Sequence, residues 1–174
     1  AASDVYKRQL YIFAVKDSAL LDLVSRMPAN RGLWVHTAGS MDMEVFAPYT
    51  ARYGVFYPMQ TFSKERETDF DDIPIFVEAN HTNDTERLQE LAGRLSTKVY
   101  EATSEQRKYL HLAAVFACNF TNHLYALCDR ILSEHGLPFE TMLPLIRETA
   151  AKVADMPPAQ AQTGPCLLYT SPSP

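Results

Sequence analysis

Four polar side chains recur along one side of an otherwise apolar stretch. His111, Cys118, Asn119 and Asn122 fall within about a third of a turn of one another at the helical angle of about 100° per residue. Histidine titrates near neutral pH and can serve as a general acid, while a carboxamide can orient a carbonyl or imine. A thiol in apolar surroundings reads as core rather than as a nucleophile. A buried amide without a partner costs about 1–3 kcal/mol. The partners are therefore either other core side chains, in helix–helix hydrogen bonds, or a ligand. His81, His123 and His135 show no ligand spacing with cysteine or carboxylate, so no metal site is expected.

The element that carries these residues runs over 104–134, the longest segment without Gly or Pro. Thr103 stands three before Gln106, the capping-box spacing that starts a helix. Past Tyr109 the segment is apolar nearly all round, which predicts a helix buried on most sides.

Before it, apolar and β-branched runs alternate with helical patterns. Residues 10–15 (LYIFAV), 33–37, 54–57, 73–78 and 98–100 read as strands. Residues 19–27, with Asp17 as N-cap, and the helix opened by Asn83 and Glu86 lie between them. This alternation predicts an α/β arrangement with a parallel sheet. Residues 41–46 read as a short helix and 63–72 as a solvated charged loop. Beyond the long helix, 139–155 predicts another helix and 157–165 a Pro/Gln loop.

Open α/β sheets place ligands at the carboxyl ends of their strands. Ala14, Val15 and Lys16 stand at one such end, and Thr37, Gly39 and Ser40 at the next. Lys16 suits a phosphate or ribose but equally a solvent-facing lysine. Gly39 lets a ligand approach the backbone but also suits a plain turn. The 57–61 stretch would border the same crevice with Gln60 as its polar group, and Gln162 and Thr163 would cap it or form a surface loop.

A net charge of −5, with no basic cluster, argues against a nucleic-acid partner. No apolar run reaches the roughly 18–20 residues of a membrane span. Three cysteines make no disulfide framework, and Cys118 and Cys128 would lie about 15 Å apart along one helix. A reducing, cytoplasmic setting fits. Residues 1–9 and 166–174 share no periodicity with their neighbours and resemble translated adaptor DNA, so a truncated natural stretch between them is expected.

Several segments together carry a resemblance: AVKDSAL at 14–20, HTAGS at 36–40, YPMQTF at 57–62, HLAAVFACNFTNHLY at 111–125, LPLIRETAAK at 143–152 and AQTGP at 161–165. They resemble the Rossmann-like bacterial proteins with a C-terminal helical domain of unknown function. Those proteins are related to pyrroline-5-carboxylate reductase and to the nicotinamide-dependent oxidoreductases named for coenzyme F420. The resemblance implies a partial dinucleotide-binding domain over 10–102 and a helical C-terminal domain over 103–165. It implies NADP or NAD as cofactor, bound by Ala14, Val15, Lys16, Thr37, Gly39 and Ser40. A small carbonyl or imine substrate would meet Gln60, Asn122, Gln162 and Thr163, with His111 and Asn119 catalytic. It also implies a homodimer built on the helical domain. The family's glycine-rich phosphate turn is absent from this sequence. In the related hydroxyacid dehydrogenases a catalytic Lys precedes the Asn by four positions. Here that place is Val115. A non-catalytic dinucleotide-binding sensor or scaffold is the alternative.

Overall fold

The computed structural model describes residues 9–163. Residues 1–8, Gly164, Pro165 and the adaptor-like tail 166–174 lie outside the described residues. The described residues divide into two compact units, one up to Asn119 and the other from Phe120.

The first unit is built on a five-stranded sheet in the order β1-β2-β3-β4-β5. Its strands are β1 (Leu10–Phe13), β2 (Leu33–His36), β3 (Tyr53–Pro58), β4 (Ile75–Ala79) and β5 (Val99–Glu101). β1, β2 and β3 are parallel to one another, as are β4 and β5. The first crossover is α1 (Asp17–Ser25), and the last is α2 (Thr82–Gly93). The expected parallel sheet needs one correction, because β4 runs antiparallel to β3, pairing Val55 with Glu78 and Tyr57 with Phe76. The connection between them contains no helix. Without a crossover element the chain simply turns back, and the returning strand pairs in the opposite sense.

All four residues of β2 are buried, as a central strand between two covered faces requires. Their alternation divides the core. Leu33 and Val35 join Phe56, Ile75, Val77, Leu88 and Ala92 on the α2 face. Trp34 joins Phe13, Leu20, Val24, Phe46 and Tyr53 on the α1 face. The short helix expected at 41–46 is a 3-10 turn, Met43–Phe46, that drives Phe46 into this second cluster.

Two helix starts differ from expectation. Asp17 lies inside the first turn of α1, behind Lys16, and makes no cap; its carboxylate accepts from Ser40 Oγ at 2.9 Å instead. α2 begins after His81, so Asn83 sits in its first turn and not at the cap. By contrast, α3 (Ser104–Ala114) opens with the full reciprocal capping box of Thr103 and Gln106. It passes into a π-helical turn, Val115–Phe120.

The second unit contains α4 (Thr121–Glu134), a 3-10 turn at Phe139–Met142, α5 (Leu143–Asp155) and α6 (Pro158–Ala161), the last where a loop was expected. Gly136 takes φ +68°, the left-handed conformation that ends α4 without a Cβ clash. The predicted burial of the long helical segment is overturned. None of the residues of the π turn or α4 is buried, and Leu124 and Ile131 are 62% and 59% exposed. A run of apolar residues reports that a surface seeks cover; the cover is not supplied by the described residues.

Candidate functional site

The carboxyl ends of β1, β2 and β3 meet the second half of α3 at two adjoining cavities within the first unit. One, of about 480 Å³, is lined by Ala14, Asp17, Thr37, Gly39, Ser40 and Phe62, among others. The other, of about 360 Å³, is lined by Met59, Thr61, Leu110, the turn residues Val115 and Cys118, and Asn119, with alanines between. Tyr57, Gln60 and His111 line both.

Of the residues expected from sequence, Ala14, Thr37, Gly39, Ser40, Gln60 and His111 thus line one cavity, and Gln60, His111 and Asn119 line the other. Val15 and Lys16 are exposed and line neither. Asn122 lies on α4 in the second unit, where Gln162 and Thr163 line a separate crevice with Thr149 and Lys152. His111 is exposed rather than a core histidine.

Gly39 is the narrow point. A Cβ placed there would lie 2.8 Å from Tyr57 Cζ and Oη and 2.9 Å from His111 Nδ1. The tyrosine and histidine therefore flank one spot above the strand-end turn, and only glycine leaves it open. Tyr57 is half-buried, and that burial pushes its phenol pKa up, opposed by the positive charge of Arg107. It remains a neutral donor through physiological pH.

Beneath the turn lies an unanticipated buried cation. Arg107, fully enclosed, donates through Nη1 to the carbonyls of Ala38 (3.2 Å) and Met41 (3.1 Å). Its Nη2 donates to Glu78 Oε2 (3.0 Å) and Ser104 Oγ (2.8 Å). Glu78 also accepts from the Ser104 amide and hydroxyl. Nε of Arg107 has no hydrogen-bond partner among the described residues. His36, 1% exposed, completes the clamp. Its Nδ1 accepts from Ala38 N at 3.2 Å, which makes Nε2 the protonated nitrogen facing Asp42 O at 3.4 Å. Burial, reinforced by Arg107, lowers its pKa to about 4. The turn from 36 to 42 is thus held from below by Arg107 and His36, while Thr37–Ser40 line the cavity.

Arg107 was not singled out by the sequence reading; Tyr57 entered only within the 57–61 stretch bordering the crevice, and Asp17 only as a helix cap. For Arg107 the available signal was an arginine four residues before His111, on the same side of the helix. For Tyr57 it was a place near the end of a strand next to a candidate crevice.

The architecture has close counterparts. A protein of Bacteroides fragilis, provisionally named an NADP oxidoreductase, is 52% identical over 96% of this chain and 67% of its own, with a TM-score of 0.86. A Thermotoga maritima protein is 23% identical over 93% of this chain and 66% of its own, with a TM-score of 0.79. A 1-pyrroline-5-carboxylate reductase of Streptococcus pyogenes, 10% identical, shares the fold at a TM-score of 0.65 over 98% of this chain and 65% of its own. The chain spans about two thirds of the length of each. No curated protein matches it. The model of DUF2520, a domain of unknown function, matches residues 73–167, which include the whole of α3 and its π turn. With a Rossmann-like sheet followed by helices, and with more than half its length matched, the chain belongs to the DUF2520 family.

Proposed function

We propose that this chain is the larger part of a nicotinamide-dependent oxidoreductase that reduces a small carbonyl or imine. The observation that carries this reading is the meeting of Tyr57 and His111 over Gly39, at the carboxyl ends of parallel strands. That is where sheets of this class hold dinucleotides. The coenzyme would supply hydride. Thr37, Gly39, Ser40 and Ala14 offer it a surface of small and hydroxyl-bearing residues, and Asp17 is suited to accept from sugar hydroxyls and would repel phosphate. The phosphate cradle is not among these residues. NADP and NAD are therefore both compatible with this half of the site.

His111 is the proposed general acid, and Asn119 the group that orients the substrate carbonyl or imine. Gln60 stands on the same cavity walls, its carbonyl oxygen accepting from the Thr61 amide. The exposed apolar faces of α4 and α5, at Leu124, Ile131, Leu145 and Val153, support a homodimer through the second unit. Light scattering at micromolar concentration should return twice the chain mass; a monomer refutes the dimer. Val115 on the cavity wall, where a dehydrogenase lysine would stand, favours the non-catalytic dinucleotide-binding alternative.

The test is NADPH and NADH oxidation by the full-length protein against a panel of cyclic imines and ketones. Turnover that disappears in His111→Ala, with an unchanged melting temperature, supports the proposal. Coenzyme binding without turnover of any panel member leaves the sensor reading.

A further inference from the structure

The two cavities that share Tyr57, Gln60 and His111 differ in character. The one toward the π turn is walled by Met59, Leu110, Ala113, Val115 and Ala117, and neither Asp, Glu, Lys nor Arg lines it. The only such side chain on the other is Asp17, an anion. Resting on the reading above, we infer that the apolar cavity receives the hydrocarbon body of an uncharged ketone, aldehyde or imine, and that substrates carrying a carboxylate on that body are excluded.

The exclusion follows from charge. An anion taken from water needs a cation or a row of backbone amides. Arg107, the buried cation beneath the turn, is fully enclosed, is committed to Glu78, Ser104 and two carbonyls, and lines neither cavity, nor does any other Lys or Arg among the described residues. The amide end of α3 is at Ser104, where Thr103 and Gln106 occupy it, and the cavity begins only at Leu110. Beyond His111, which stands at the shared end of the two cavities, a carboxylate on the hydrocarbon body would therefore be desolvated against methyl groups. A neutral ring or alkyl chain would instead gain by burial against Ala113, Ala114 and Ala117, whose short side chains leave the width. At about 360 Å³ the cavity is at the small end of the range for small-molecule sites. The polar atom of such a ligand would lie at the other end, where the Tyr57 hydroxyl has no protein partner among the described residues.

A matched pair of probes tests this without coenzyme. The isotope-labelled protein is titrated by NMR with cyclohexanone and, separately, with 3-oxocyclohexane-1-carboxylate, following the methyl signals of Met59, Ala113 and Ala117. Cyclohexanone should move these signals, and the carboxylate should need at least about tenfold higher concentration. Val115→Lys should narrow or reverse that ratio; if it disturbs the π turn, Thr61→Lys serves. Equal affinity, preference for the carboxylate, or no movement with either probe overturns the assignment. Cyclohexanone binding with no NADPH or NADH oxidation on any member of the panel would keep the cavity assignment and sink the reductase reading. Turnover of a carboxylate-bearing imine would do the reverse.

Discussion

Removing the Arg107 guanidinium should cost more stability than any other single truncation at the strand-end turn. In Arg107→Met the carbonyls of Ala38 and Met41 lose their side-chain donor, and Glu78 keeps only the amide and hydroxyl of Ser104. Breaking a buried ion pair by deleting one member typically costs about 3–5 kcal/mol. Two features place this case near the lower figure: Glu78 is 15% exposed, and the arginine already carries one unsatisfied N–H whose loss is a relief. The expectation is a loss of about 3 kcal/mol, a large share of the 5–15 kcal/mol that usually holds a domain together. Urea unfolding followed by circular dichroism measures it. Adding Glu78→Gln removes the stranded charge, so the double variant should regain part of the loss. The same substitution has a site-specific signature. Arg107 helps to depress the His36 pKa, so Arg107→Met should raise it from about 4 while burial keeps it below 6.5. A loss under about 1 kcal/mol, or a double variant no more stable than the single one, would refute the clamp.

His36 makes stability depend on acid. Its folded pKa of about 4 lies below the unfolded 6.5, so the unfolded chain binds more protons between those values. Stability from this group is therefore complete above pH 6.5 and falls as pH drops toward 4, by about 3 kcal/mol in all. His36→Gln should remove that slope from urea midpoints measured between pH 4.5 and 7. Gly39→Ala should displace Tyr57 and His111, cutting turnover of the full-length protein by tenfold or more while costing only about 1–2 kcal/mol, because side chains rather than backbone stand in the way. Normal turnover in that variant would remove the pair from the chemistry. Gly54→Ala would drive a Cβ into the Glu78 carbonyl oxygen, a backbone clash expected to cost about 3 kcal/mol or more, whereas Gly93→Ala meets nothing within 4 Å and should stabilise by about 0.4–1 kcal/mol. Melting temperatures moving in the same direction for both would contradict the packing described.

What the sequence determined by itself is whatever depends on neighbours along the chain. The Thr103–Gln106 capping box is local, and it forms as read. The period-2 and helical runs located β1, β2, α2 and α5 within a few residues, and the strand-end motifs pointed to the turn at Thr37–Ser40, which lines a cavity. Only the tertiary structure decided the rest, because each remaining feature depends on what arrives from far away. Asp17 reads as a cap, yet Ser40, distant in sequence, claims its carboxylate. The sense of β4 depends on whether a crossover helix forms between it and β3, and a charged loop carries no such signal. Arg107 reads as one more surface arginine until Glu78, Ser104 and the 38–41 carbonyls converge on it. Likewise, nothing in YPMQ announces that Tyr57 will face His111 across Gly39; that meeting requires β2, β3 and α3 to be stacked in space. Local propensity and periodicity are written in single residues and their near neighbours, whereas burial and desolvation, which set charge and reactivity here, are properties of the packed whole.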